Sequence, residues 1–243
     1  MAFLVGGANT LTAGYNIDNS LRFAKGDTAY MTNATGGTST LNTKMTLSFW
    51  MKICDNTYDD TVGICWGYVD ASNRFGISMY QDKIIIYQNS AGTAGEKRSD
   101  SIRYRDESAW YHIVVAVDTT QGTAANRTKL YVNGVAAEIS AGDYPAEDAT
   151  IAFTQNVTQS IGANWSGSAW EGHWDGYLSE FYCIDGIAYD ADDFGETDED
   201  SGIWKPKDAK DDLTFGNNGF YLEFKNSAVG TGASDTIGAD TSG

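Results

Sequence analysis

Between Trp110 and Val117 the chain is apolar at nearly every position, and Asp118 and a run of threonines then break the pattern. On a strand, Trp110, His112, Val114 and Ala116 share one face, and Tyr111, Ile113, Val115 and Val117 share the other. Both faces are apolar, so the segment predicts a central strand covered on both sides. Lys129–Val132 predicts a second strand. Asn133-Gly134 then supplies the positive-φ pair of a type I′ hairpin turn, which costs a residue with a Cβ roughly 1–2 kcal/mol.

The same reading extends along the chain. Met45–Ile53 alternates, with Met45, Leu47, Phe49, Met51 and Ile53 on one face and Thr46, Ser48, Trp50 and Lys52 on the other. That is a half-buried strand, with Trp50 the outer-face exception that predicts some cover there. Val62–Tyr68, Arg74–Tyr80 and Lys83–Gln88 predict three strands joined by short turns, Gln81-Asp82 being a two-residue link. Asn19–Met31 predicts two short strands around Lys25-Gly26-Asp27. Ile102–Arg105, Thr150–Thr154, Gln159–Ala163, the long Gly176–Ile184 and Phe220–Phe224 complete the set. Thr32–Thr43 and Ser90–Ser99 read as loops by composition, and Asp55–Asp60 as an acidic loop.

No window carries a helical apolar period, and the chain holds only two prolines. The prediction is an all-β fold with antiparallel connections. So many strands exceed one open sheet, so a two-sheet antiparallel jelly-roll sandwich is expected. No proline-rich linker divides it. Residues 17–225 are read as one sandwich domain, 1–16 as an apolar, glycine-rich N-terminal arm, and 226–243 as a flexible polar tail.

Charge narrows the partners. The 243 residues carry 33 acidic and 16 basic side chains, a net −17. Such a surface repels phosphate backbones and anionic lipid, so neither nucleic acid nor a bare membrane surface is an expected partner. The start, MAFLVGGANTLTAG, lacks a basic stretch and a span-length apolar run, so neither a secretory leader nor membrane insertion is expected. Cys54, Cys65 and Cys183 form no CxxC pair or zinc spacing; core packing and a Cys54–Cys65 disulfide both stay open.

Five segments, LRFAKGDTAYM, TLSFWMKI, WYHIVVAVDTT, KLYVNG and WDGYLSEFYCIDG, resemble in order and spacing the laminin-G-like, concanavalin A-like lectin/glucanase superfamily. The ending FGETDEDSGIWKPK…GNNGFYLEF, and the arm MAFLVGGA before NIDNSLRF, resemble marine tailed-phage structural proteins that carry this domain. The resemblance implies a lectin-like sandwich on a virion.

The chemistry is then weighed residue by residue. A glucanase of this fold would need Glu-x-Asp-x-(x)-Glu, placing two carboxylates about 5–5.5 Å apart for retaining hydrolysis. No such stretch exists; Glu180 and Asp185 are nearest and face opposite sides of a regular strand. Asp190–Asp200 (DADDFGETDED) fails the EF-hand pattern, with Phe194 and Ser201 at required oxygen positions. A looser calcium site from acidic loops such as Asp55, Asp59 and Asp60 stays open, as does a solvated acidic turn. His112 and His173 lie beside tryptophans and read as packed or hydrogen-bonded. Trp165, Trp170 and Trp174 crowd a polar, glycine-rich stretch, where aromatic faces suit sugar C–H faces and Asn164 and Asp175 suit hydroxyls. With Trp66 or Tyr68 they form a candidate glycan platform; the alternative is that Trp170 and Trp174 cap the sandwich edge.

The functional expectation is a non-enzymatic phage virion protein, made in the host cytoplasm and displayed on the virion exterior. Its lectin-like domain would serve glycan adhesion or capsid or tail decoration. Phe3, Leu4, Val5, Leu11 and Tyr15 would dock the arm to other virion subunits, and a homo-oligomer is expected. The alternative is a ligand-free cement protein, and a glycoside hydrolase of the same fold comes third.

Overall fold

The computed structural model describes residues 14–34, 37–55, 57, 60–90, 93–98, 102–139, 144–230 and 234–242. In chain order the strands begin β1 (Leu21–Phe23), β2 (Met31–Ala34), β3 (Lys44–Ile53), β4 (Val62–Asp70), β5 (Asn73–Tyr80) and β6 (Lys83–Ser90). Then come β7 (Thr93–Arg98), β8 (Tyr111–Asp118), β9 (Thr128–Val132), β10 (Val135–Ala137), β11 (Thr158–Ile161) and β12 (Asn164–Trp165). The last are β13 (Trp170–Glu171), β14 (Gly176–Asp185), β15 (Gly195–Thr197), β16 (Trp204–Pro206) and β17 (Phe220–Leu222).

Two antiparallel sheets stack into a jelly-roll sandwich. The first runs β1-β14-β3-β8-β9-β10, with β17 also paired to β14; the second runs β2-β11-β4-β5-β6-β7. Alternation sets which residues meet between them. Met45, Leu47, Phe49, Met51 and Ile53 of β3 and Ile113, Val115 and Val117 of β8 pack onto Ile64, Phe75, Ile77, Ile84 and Ile86 of the second sheet. Each such side chain stabilises the fold by roughly 1.5–3 kcal/mol through burial. The outer face of the first sheet has a smaller core of its own, where Val114, Tyr182, Ile184 and Tyr221 meet Ala191, Phe194, Ala209 and Phe215 from the excursion after β14. That is why β8 is apolar on both faces. Asn133 (φ 49°) and Gly134 (φ 78°) make the positive-φ turn between β9 and β10.

Three expectations are corrected. Thr93–Arg98 lies in the composition-defined loop but is strand β7, paired in register with β6 from Ile85↔Arg98 to Ser90↔Thr93. Ile102–Arg105 and Thr150–Thr154 are not strands. They make scattered bonds instead of ladders, among them Tyr104 N–H to the Asp82 carbonyl and Ile151 N–H to the Asn42 carbonyl. Their side chains still feed the core through Tyr104, Ile151 and Phe153. Of the two readings open for the cysteines, core packing holds for Cys65 and Cys183, which are buried in the main core, and Cys54, Cys65 and Cys183 are all free thiols.

β14 departs from regular alternation. Its pairing to β3 shifts between Ser179 and Tyr182, and Glu180 sits at φ 49°. Leu178 and Phe181 therefore both face the main core, and Ser179 and Glu180 are both left on the outer face. At the other end, Tyr221 N–H donates to the Asp240 carboxylate at 3.0 Å and Thr241 N–H to the Tyr221 carbonyl at 2.9 Å, which brings Asp240 and Thr241 back to β17.

Candidate functional site

The aromatic hairpin β12–β13 lies on the outer face of the second sheet, over β4. Asn164 fixes it there: its side-chain oxygen accepts from Ser78 Oγ at 3.0 Å, and its amide donates to the Thr61 carbonyl at 3.1 Å. Gly63 N–H donates to the Gly172 carbonyl at 2.7 Å, and Gly63 bridges to His173. The register sets Trp165 directly opposite Trp170, so their rings meet at 4.8 Å and 58°. Tyr68 of β4 lies 6.3 Å beyond Trp165, and Tyr30 lies 6.0 Å beyond Trp170 and 5.5 Å from His173. The result is a row, Tyr68–Trp165–Trp170–Tyr30, with half-buried indoles, a 43% exposed Tyr30 and a solvated Ser166–Ala169 turn alongside. Aromatic rings held by backbone pairing and still open to water suit a ligand with apolar faces and polar rims.

The structure unites only part of the predicted platform. Trp165, Trp170 and Tyr68 come together as expected. Trp174 does not join them: it is 0% exposed and packs on Phe23 with ring centres 6.2 Å apart. Trp66 is also buried, lying flat over Gly76, where a Cβ would come within 1.9 Å of its indole. Both are core residues because neighbouring glycines leave their rings room to lie against backbone. Asn164 spends both ends of its amide on the fold. Asp175 is ion-paired to Arg22 at 2.5 Å. Tyr30 is the member that sequence reasoning missed, since only the fold carries the loop before β2 to this hairpin.

Candidate chemistry elsewhere resolves into structure. His112 is buried beside Ser48, with Nε2 to Oγ at 2.9 Å, a spacing that suggests a base and nucleophile. Trp204 Nε1–H, however, donates to Nδ1 at 3.0 Å. An indole can only donate, so Nδ1 is the bare nitrogen and Nε2 carries the proton; it donates to Ser48 and cannot take a proton from it. Burial alone drives the His112 pKa down to about 3, so the ring is neutral and stacks with Trp50 at 4.8 Å and Trp204 at 5.9 Å.

The bulge in β14 does not pair its carboxylates. Asp185 accepts from Ser39 Oγ at 2.5 Å, Thr40 N–H at 2.7 Å and Asn218 N–H at 3.1 Å. Glu180 instead accepts from Tyr15 at 2.9 Å, Tyr182 at 3.1 Å and Tyr221. Burial raises the Glu180 pKa against the lowering effect of those three donors. Tyr15, an expected docking residue, is thus tied to its own domain, whereas Phe3, Leu4, Val5 and Leu11 lie outside the described residues.

Among the described residues no group of three or more His, Cys, Asp or Glu side chains converges as a metal site. Asp190 caps the turn Ala191–Asp193 and accepts from Tyr131 at 2.6 Å. Asp198 accepts from Ser201 Oγ at 2.8 Å and pairs with Lys205 at 3.2 Å, and Asp55 accepts from Thr57 Oγ1 at 2.6 Å. Asp59 lies outside the described residues.

Two antiparallel sheets packed face to face around the main core define a lectin-type β-sandwich. The chain belongs to the concanavalin A-like lectin/glucanases superfamily, whose Laminin_G_3 profile matches residues 5–187. No curated protein matches it by sequence. Among solved structures it is similar to a putative carbohydrate binding protein from Bacteroides ovatus, with TM-score 0.58, 14% identity and 90% of this chain covered. It is also similar to mouse laminin alpha1 domains LG4-5, with TM-score 0.52, 5% identity and 72% covered. A third is the NanB sialidase of Streptococcus pneumoniae, in its K499G mutant, with TM-score 0.52, 13% identity and 75% covered. The chain spans 55%, 44% and 29% of the lengths of these three. At such identities the likeness is one of fold.

Proposed function

We propose that the protein is a non-enzymatic carbohydrate-binding domain that acts on the exterior of a tailed-phage virion, in host-surface adhesion or in capsid or tail decoration. The observation that carries the binding is the solvent-facing row Tyr68–Trp165–Trp170–Tyr30, held over the sheet by Asn164 on Ser78 and the Thr61 carbonyl and by Gly172 on Gly63 of β4. Its rings offer stacking surfaces, and the serines of the Ser166–Ala169 turn offer hydroxyl contacts beside them. The absence of catalysis is supported by the proton placement at His112–Ser48 and by the separate networks of Glu180 and Asp185. The virion role is supported by the resemblance of the arm and the FGETDEDSGIWKPK segment to phage structural proteins. Docking to other virion subunits through Phe3, Leu4, Val5 and Leu11, and assembly as a homo-oligomer, belong to the same reading.

A glycan array probed with the wild-type protein and with Trp165→Ala/Trp170→Ala tests the binding. Retention of at least one glycan by the wild type alone, at matched melting temperature, is the expected result. A blank array for well-folded protein favours the ligand-free cement role instead. Hydrolysis of laminarin or agarose that disappears in Glu180→Gln would replace both readings with a glycoside hydrolase.

A further inference from the structure

On the opposite sheet a second cleft stands apart from the hairpin. Trp50 projects from the outer face of β3, with His112 stacked on it at 4.8 Å. Trp110, just before β8, is 38% exposed and meets Tyr177 edge-on at 6.5 Å. Asp18, Asn19 and Ser20 form the facing wall, and Pro206 of β16 closes one end, leaving a cavity of about 300 Å3. The wall is built in place: Ser179 Oγ donates to the Asn19 carbonyl, and Tyr15 is anchored on Glu180. The β14 bulge makes both anchors possible, because it leaves Ser179 and Glu180 side by side on the outer face.

We propose that this cleft is a second ligand site, which takes one neutral sugar residue between Trp50 and Trp110. Its volume is at the lower end of small-molecule pockets, so it fits a single ring unit better than a chain. Two indoles supply apolar faces for sugar C–H groups, while a carboxylate, an amide and a hydroxyl supply both acceptors and donors for hydroxyls. Among the described residues no Lys or Arg lines it, and the chain carries a net −17, so an acidic sugar is disfavoured. The site does not depend on the hairpin, since the main core separates the two outer faces. Two sites on opposite faces would let one domain bridge two glycans, gaining avidity without further contacts.

Fluorine NMR of protein carrying 5-fluorotryptophan reads the two faces separately, once resonances are assigned with Trp110→Ala, Trp50→Phe and Trp165→Ala. The full chain is titrated with glucose, galactose, mannose, N-acetylglucosamine and, as a cationic control, tetramethylammonium. The expected result is a saturable shift of the Trp50 and Trp110 signals with at least one sugar, unchanged in Trp165→Ala. Affinity should fall about tenfold or more in Trp110→Ala and in Asp18→Ala, the loss of one good contact. Sugar shifts confined to Trp165 and Trp170 would overturn the cleft and leave the hairpin site standing. A Trp110 shift with tetramethylammonium but with no sugar would also overturn it, in favour of a cation site.

Discussion

Trp165 and Trp174 are nine positions apart in sequence and opposite in role. Trp165 is half-buried in a surface hairpin, whereas Trp174 is fully buried against Phe23. Trp165→Ala should abolish glycan binding and leave the melting temperature nearly unchanged. Trp174→Ala should cost about 3–5 kcal/mol of stability in a denaturant titration, the range for an aromatic removed from a packed core. His112 makes a prediction in pH. Its folded pKa is depressed by burial to about 3 from the ordinary imidazole value of 6.5, so between those values the unfolded chain holds a proton that the folded chain does not. Stability from this group is present above about pH 6.5 and is lost as pH falls toward about 3. Denaturation midpoints of the wild type should drop across that window more steeply than those of His112→Gln.

At the scale of elements, period-2 alternation made β3, β8 and the Asn133-Gly134 turn legible, because one or both faces are buried and the pattern must match the pleat. Gly134→Ala should be clearly destabilising in the same titrations: φ is 78°, and a Cβ would come within 2.3 Å of the Trp204 ring. β7 was illegible because Thr93–Arg98 has no apolar alternation; its strand comes from pairing with β6. The glycine-rich stretch around Trp174 misled for a related reason. Gly176 marks room for the buried indole, not exposure, since a Cβ there would lie 2.5 Å from the ring. The β14 bulge had no signal in sequence, because Ser179-Glu180 fits a strand until Tyr15 and Tyr221, from distant segments, join Tyr182 on Glu180. Glu180→Ala should leave buried tyrosine hydroxyls unpaired, at about 1–3 kcal/mol each, while Glu180→Gln keeps an acceptor and loses less. The raised Glu180 pKa means that its stabilisation is present below the unfolded carboxylate value and lost as pH rises through the folded one. Glu180→Gln should therefore flatten that part of the stability–pH curve.

Over the whole molecule, the sandwich holds its aromatic surfaces on two outer faces, with an apolar core between them. The inward-facing pattern that builds the core is therefore separate from the outer-face aromatics proposed to meet ligands. The first was readable from alternation; of the second, Trp165, Trp170 and Tyr68 were readable from composition, whereas Tyr30, and the burial of Trp66 and Trp174, emerge only with the hairpin folded over β4. Calcium gives a check at this scale. The acidic side chains at Asp55, Asp190 and Asp198 are already engaged locally, so calcium should raise the melting temperature no more than magnesium does. The central claim, that the Tyr68–Trp165–Trp170–Tyr30 row recognises carbohydrate, is tested most directly by glycan-array binding of the wild type beside the Trp165→Ala/Trp170→Ala variant. The account predicts wild-type signal that vanishes in an equally stable variant; a signal unchanged by the two substitutions would contradict it.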